Sequence, residues 1–295
     1  MSNKQSLKRN PYLKTALFGA PAIILLVLFV LGPIIMTFLF SFTDMALTGS
    51  AAKDMEFVGF DNFVHMFKDP SFKTSVINTI IFLLFSAVIG QQIVGFLVAF
   101  LMKKKARPFR STIGLLVLAG WITPEIVVAF VWFAFLSDEG TLNTVLGFAG
   151  MEPVAWLLNF PMVSVIFVNI WHGAAFCMLM YQAALDDIPQ EIEEASKIDG
   201  ANAWQRLWRI TLPIIKGAVV TNMVLVTLQT LGVFTLIYAL TGGGPGEKST
   251  TLPLFMYDEA FVNYQLGYGT AISLVLLIMG IVLSLFYIKF SNMDD

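Results

Sequence analysis

The chain has 295 residues, 57% of them hydrophobic and 13% charged, with a formal net charge of −2. Its mean hydropathy of +0.77 lies well outside the range of a soluble globular domain and marks an integral membrane protein that needs a lipid bilayer around it. There is no basic surplus to attract nucleic acid, the single Cys177 excludes an internal disulfide framework, and two histidines, His65 and His172, are too few for a multi-histidine metal cluster, so no metal site is expected.

The amino-terminal segment 1–14 carries Lys4, Lys8, Arg9 and Lys14, and no charge follows from Thr15 to Phe42. A signal-peptide apolar core is roughly 7–15 residues, so this run is too long for one; it reads as a retained first span, 15–42, bent by Pro21 and Pro33. Asp44 to Ser75 is a polar loop in which Phe57, Phe60, Phe63 and Phe67 have the spacing of a short amphipathic interfacial helix. A second span, 76–102, holds Asn78, Gln91 and Gln92, and Lys103, Lys104, Lys105, Arg107 and Arg110 follow at once. The third, 112–136, contains Pro124-Glu125, where the proline is expected to break the helix and aim amide donors toward the acid. The fourth, 160–183, carries Asn169, Trp171 and His172.

The loop 184–216 is the longest charged interruption of the membrane domain, 15–290. Ile188, Ile192 and Ala195 fall at i, i+4 and i+7, with Glu191, Glu193, Glu194 and Lys197 elsewhere around the turn, which predicts an amphipathic helix of about three turns. Gly200 is expected to end it. A second short helix with Trp204, Leu207 and Trp208 on one face should follow, closed by Pro213. A fifth span, 217–240, contains Asn222, Gln229 and Tyr238; Thr241 to Gly246 is a tight glycine-proline loop; a sixth span, 266–288, ends at Lys289 before a tail, 291–295. Of the 18 Lys and Arg residues only Lys53, Lys68, Lys73 and Lys248 fall outside if the amino terminus is inside, so both termini and the loop 184–216 are expected in the cytoplasm.

Glu194-Ala195-Ser196, Gly200, Ile210 and Leu212-Pro213 have the spacing of the signature written EAA, three positions, G, nine positions, I, one position, LP, with serine for the second alanine. The stretch thereby resembles the membrane subunits of binding-protein-dependent bacterial ABC importers. Val58 to Phe63, Asn78-Thr79, Ile188-Pro189, Asp199-Gly200-Ala201 and Thr241 to Pro245 resemble the carbohydrate branch, which includes permeases for maltose, lactose, multiple sugars and glycerol 3-phosphate. The short first loop departs from maltose-type subunits with a large extra periplasmic domain. The resemblance implies an all-α, six-helix type I permease fold in the bacterial inner membrane, pairing with a second homologous permease, two cytoplasmic ATPase subunits and an extracytoplasmic solute-binding protein. ATP and Mg would be bound by the partner ATPase, with no cofactor and no catalytic residue in this chain. It also makes the loop a coupling helix seated in the ATPase, with Glu191, Glu194, Ala195, Ser196, Asp199, Gly200, Ala201, Ile210, Leu212 and Pro213 as the coupling residues.

Polar groups within spans are candidates for the substrate pathway. Gln91, Gln92, Asn169, Asn222 and Gln229 are able to bond sugar hydroxyls and Trp171 or Tyr238 to stack on sugar faces, while interhelical hydrogen bonding is the plain alternative for each. An ionised acid at the centre of a span costs roughly 2.5–3.5 kcal/mol, so Glu125 should face the bundle interior or water. A rival reading makes Glu125 the coupling group of an ion-driven secondary transporter or channel. Gly242, Gly243, Gly244 and Pro245 are read as an outer turn meeting the binding protein. The run Gly242 to Ser249 imitates a phosphate-binding loop but carries Glu247 where that motif needs glycine. No pair of intramembrane aspartates and no Ser/His dyad supports an intramembrane enzyme.

Overall fold

The computed structural model describes residues 11–292, with side chains from Phe18 to Lys289. Residues 1–10 of the expected amino-terminal segment and 293–295 of the expected tail lie outside the described residues. Among the described residues the regular structure is helical, apart from an isolated antiparallel bridge between Thr43 and Phe57. Besides the single turn Trp156–Asn159 and the π segment Asp258–Val262, the helices are α1 (Phe18–Phe40), α2 (Asp61–Lys68), α3 (Pro70–Lys103), α4 (Arg107–Ile122), α5 (Glu125–Leu136), α6 (Thr141–Phe148), α7 (Pro161–Asp186), α8 (Gln190–Ile198), α9 (Ala203–Ile214), α10 (Lys216–Leu231), α11 (Thr235–Leu240), α12 (Leu252–Tyr257) and α13 (Leu266–Asn292).

By length and composition four helices among the described residues are able to cross a membrane alone: α1, α3, α7 and α13. The bent pairs α4 with α5–α6 and α9 with α10 raise the number to six if each is one span. The third apolar run is not one rod, because Thr123, ahead of Pro124, takes an extended ψ of 127° and the chain turns by 99°. Glu125 thereby becomes the first residue of α5, where a carboxylate complements the helix dipole. The fifth run also differs from the single span 217–240 expected: α10 stops at Gly232, and Val233-Phe234 lead into the separate α11. Glycine weakens a helix by about 1 kcal/mol, and burial of Leu236, Ile237 and Leu240 with Val128 and Ala129 of α5 redirects the chain. Pro213 does not close α9 as expected. It sits at the start of a helical turn after the π segment Leu207–Thr211, a position where its missing N–H is unneeded, and the 70° bend falls at Ile215.

The centre of the bundle is the α3–α7 contact. A Cβ on Gly95 would lie 2.3 Å from Cys177 Cβ and 2.9 Å from Met178 N, one on Gly90 2.2 Å from Ile170 Cδ1, and one on Gly173 2.1 Å from Gln91 Oε1. In lipid there is little hydrophobic drive between helices, so backbones this close are what dispersion and hydrogen bonding require. Ala87, Ala99, Met102, Met178, Tyr181 and Leu185 complete this core, with Val226 of α10 and Ile215 just ahead of it. A second core joins α2, the start of α3, α12 and α13 through Met66, Phe72, Leu252, Phe255 and Ile272; the short helix expected near Phe63 is therefore docked on its inner side. By contrast no side chain of α1 from Ile23 to Leu39 is buried.

Candidate functional site: a docking platform and a polar bundle

The helix α8 ends as its sequence demands. Gly200 takes φ +76°, its N–H donates to the Lys197 carbonyl at 3.1 Å and the Ala201 N–H to the Ser196 carbonyl at 3.0 Å, a Schellman closure. Nothing lies within 4 Å of a Cβ built on Gly200, so glycine is needed there for its dihedral alone. Asn202 then caps α9: its side chain accepts from Gln205 N at 2.9 Å, while its own N–H donates to Gln205 Oε1 at 2.9 Å. Arg206 Nη1 donates to the Ala201 carbonyl at 2.7 Å and locks the two helices together.

The face of α8 that meets the protein carries Glu193, ion-paired with Lys103 at the end of α3, and buried Ser196, whose hydroxyl donates to the Glu193 carbonyl at 2.7 Å. Ile188, just before the helix, is buried in the α3–α7 core. Ile192 and Ala195 of the expected apolar stripe point outward instead, followed on the same side by Ile198, 85% exposed. On α9 Trp204 is 67% and Trp208 55% exposed, their rings 5.5 Å apart. Glu191 and Asp199 lie in the open, as does Glu194, which accepts from Gln190 Nε2 at 2.7 Å; Ala201, Ile210 and Leu212 are half-buried and Pro213 is exposed. The loop thus presents apolar groups to the outside and its acid Glu193 to the protein.

Four of the pathway candidates are buried and linked in two pairs. Gln92 Oε1 accepts from Tyr181 Oη and, at 2.9 Å, from Asn222 Nδ2, and its own Nε2 donates to the Ala87 carbonyl at 3.2 Å. Gln91 Nε2 donates to the Asn169 carbonyl at 3.2 Å, and Asn169 Nδ2 to Ser86 Oγ at 3.0 Å. These bonds tie α3, α7 and α10. Trp171, Gln229 and Tyr238 are exposed, and Glu125 is half-buried at the break before α5. Trp171 packs edge-on to Trp132, and Tyr238 stacks on Phe234 at 5.3 Å beside Tyr257. A nitrogen of the His172 ring lies 3.3 Å from the Thr123 carbonyl at that break, so this histidine has a structural partner.

At the other end Gly242, Gly243 and Gly246 adopt positive φ, and Asn78 Nδ2 of α3 donates to the carbonyls of Glu247 at 2.8 Å and Thr250 at 3.0 Å. Thr79 Oγ1 accepts from Leu252 N at 2.8 Å. A Cβ on Gly243 would meet Thr250 Oγ1 at 2.4 Å, so that glycine is required by space as well as by φ. The loop follows a helix and not a strand, which removes any likeness to a phosphate-binding loop. Sequence reasoning missed the Asn78 clamp and the Lys103–Glu193 and Arg110–Asp186 pairs, whose partners lie far apart in the chain.

Residues 91–291, which include the whole loop 184–216, match the family described as the binding-protein-dependent transport system inner membrane component. The chain belongs to this family. The permease is 32% identical to the sulfoquinovosyl glycerol transport system permease protein SmoG of Agrobacterium fabrum, over 96% of this chain and 92% of that one. It is 30% identical to the lactose transport system permease protein LacF of Rhizobium radiobacter, over 96% and 95%. The solved structure of a bacterial alginate ABC transporter, in complex with its pentasaccharide-bound periplasmic protein, contains a chain of like fold, with a TM-score of 0.80 at 24% identity over 96% of this chain and 95% of that one. The permease is accordingly a multi-pass membrane protein with the ABC-importer permease fold.

Proposed function

We propose that the permease forms half of the translocation pathway of an ATP-driven importer for a sugar or related solute, working with a second homologous permease, two cytoplasmic ATPase subunits and an extracytoplasmic solute-binding protein. The observation that carries this is the outward apolar face of α8 and α9: Ile198, Trp204 and Trp208 stand exposed on a loop that the Lys103–Glu193 pair and the Gly200 closure hold rigid. A rigid knob with exposed indoles fits a cleft in a protein, and rigid-body motion of that protein would be passed to α3, α7 and α10. ATP and Mg belong to the ATPase on this reading, and the permease does no covalent chemistry.

Six spans with both termini cytoplasmic follow from treating each bent pair as one crossing and from the cation count. The sugar assignment draws on the substrates named for the relatives. Trp171, Gln229, Tyr238 and Glu125 keep accessible side chains and are the first choice for contacts along the pathway, whereas Gln91, Gln92, Asn169 and Asn222 hold the bundle. The exposed α1 offers a surface to the second permease, and the clamped loop Gly242 to Pro245 offers one to the binding protein. An ion-coupled reading through Glu125 is not favoured, since the family is that of binding-protein-dependent systems. Gly200→Pro and Glu194→Lys should leave membrane insertion intact and abolish ATP-driven uptake in reconstituted vesicles; normal uptake by either correctly inserted variant rejects the assignment.

A further inference from the structure

Five cations, Lys103, Lys104, Lys105, Arg107 and Arg110, cluster from the end of α3 to the start of α4, and two of them are committed: Lys103 to Glu193 and Arg110 to Asp186. Among the described residues Lys105 and Arg107 pair with no acid. Both line the rim of an open cavity of about 660 Å³ between the start of α4 and the end of α7. Away from the rim its wall turns apolar, with Leu115, Leu118 and Leu179, and Gly114 keeps it open because nothing lies within 4 Å of a Cβ built there. The cavity therefore has a cationic mouth at the polar end of a span and a greasy slot running toward the membrane interior.

We propose that this cavity binds an anionic membrane glycerophospholipid, with its phosphodiester between Lys105 and Arg107 and an acyl chain along Leu115, Leu118 and Leu179. A soluble anion would satisfy the cations and leave the apolar slot beside Leu115, Leu118 and Leu179 unfilled. An apolar helix of another subunit would cover the leucines and bury two unpaired cations, which is costly. A lipid with a negative headgroup meets both demands, and the planar Arg107 guanidinium suits a phosphate. Asp186 stays neutralised by Arg110, so it does not repel the headgroup. The site is independent of which solute is carried.

The experiment is native mass spectrometry of the detergent-purified, fully assembled transporter titrated with phosphatidylglycerol or phosphatidylcholine of equal chain length. Each cation near an anionic headgroup is worth about fivefold, so phosphatidylglycerol should be retained roughly 30-fold better. The double variant Lys105→Gln/Arg107→Gln should erase that preference, while Lys105→Arg/Arg107→Lys should keep it and shows that the site tolerates substitution. Leu115→Trp, with both cations intact, should fill the slot and lower retention. Glycerol 1-phosphate should not displace the lipid. Equal retention of the two lipids, displacement by glycerol 1-phosphate, or full preference in the glutamine double variant would overturn the proposal.

Discussion

Gly95 and Gly200 are both indispensable on physical grounds, and for opposite reasons. At the α3–α7 contact Gly95 has an ordinary helical backbone and no room for a Cβ; at the end of α8 Gly200 has all the room it needs and a φ of +76° that a side chain resists. The surroundings diverge in the same way. Within the bundle the side-chain amide nitrogens of Gln91, Gln92, Asn169 and Asn222 all donate to partners inside the protein, whereas on the loop the apolar Ile198, Trp204 and Trp208 face out. A region built to hold itself together in lipid hides its polarity and brings backbones close. An uncovered apolar surface outside the bundle is suited to docking against another protein.

The largest effect expected from this contrast is at the bundle. Gly95→Ala should overpack the α3–α7 contact by at least 1–3 kcal/mol and lower the thermal midpoint of the detergent-solubilised permease by several degrees; an unchanged midpoint would mean that the two helices separate at little cost. Trp204→Ala should do the reverse. Its effect on that midpoint should be negligible, within about 0.5 kcal/mol, while co-purification of the ATPase should drop roughly tenfold or more, as for an aromatic interface anchor. ATPase recovery equal to that of the unaltered protein would remove Trp204 from the interface.

Gly200→Ala should cost about 1 kcal/mol through its dihedral and slow uptake without preventing insertion. Gly200→Asn, which tolerates the left-handed region, should lie between the two; equal uptake by all three would show that the helix closure does not matter for coupling.

The smallest effect lies at the opposite end of the molecule, outside the spans. Burial, then the neighbouring Asp69 and Asp258 charges, push the Glu259 carboxyl above its ordinary value of 4.5, against the bond it accepts from Asn263 and the opposing influence of His65. The folded state then holds this proton more tightly than the unfolded one, so stability falls as pH rises from the ordinary value through the raised one. Glu259→Gln should flatten that part of the stability–pH profile, as read by thermal melts from pH 4 to 8; an unchanged slope would place its origin elsewhere.

Much of this was legible in the chain. The charge-free runs marked the membrane segments because a bilayer admits few charges, and Pro124 marked a break because it forces Thr123 out of the helical region. The spacing from Glu194 to Pro213 marked the family to which the chain belongs. Less legible was which way α8 faces. Ile188, Ile192 and Ala195 form one stripe by period, yet Ile188 is buried and the other two look outward, because α8 is held by the Lys103–Glu193 pair and buried Ser196 while Glu191, Glu194 and Asp199 stay in the open. The pathway list was mixed for a similar reason. A glutamine within a span reads the same whether it bonds a neighbouring helix or a solute.

Sequence alone determined the membrane class, the positions of the charged loops, the family signature and the need for glycine at 200, since each depends on local chemistry or on fixed spacing along one segment. Tertiary structure decided what depends on residues far apart in the chain. It splits the fifth run at Gly232, makes Asn78 the clamp of a loop more than 160 residues away, closes Gln92, Tyr181 and Asn222 into one network, and leaves Lys105 and Arg107, without an acidic partner among the described residues, at the mouth of an open cavity with an apolar wall. Hydrogen bonds, ion pairs and close packing act over a few ångströms of space, and only the folded chain brings those residues within that range.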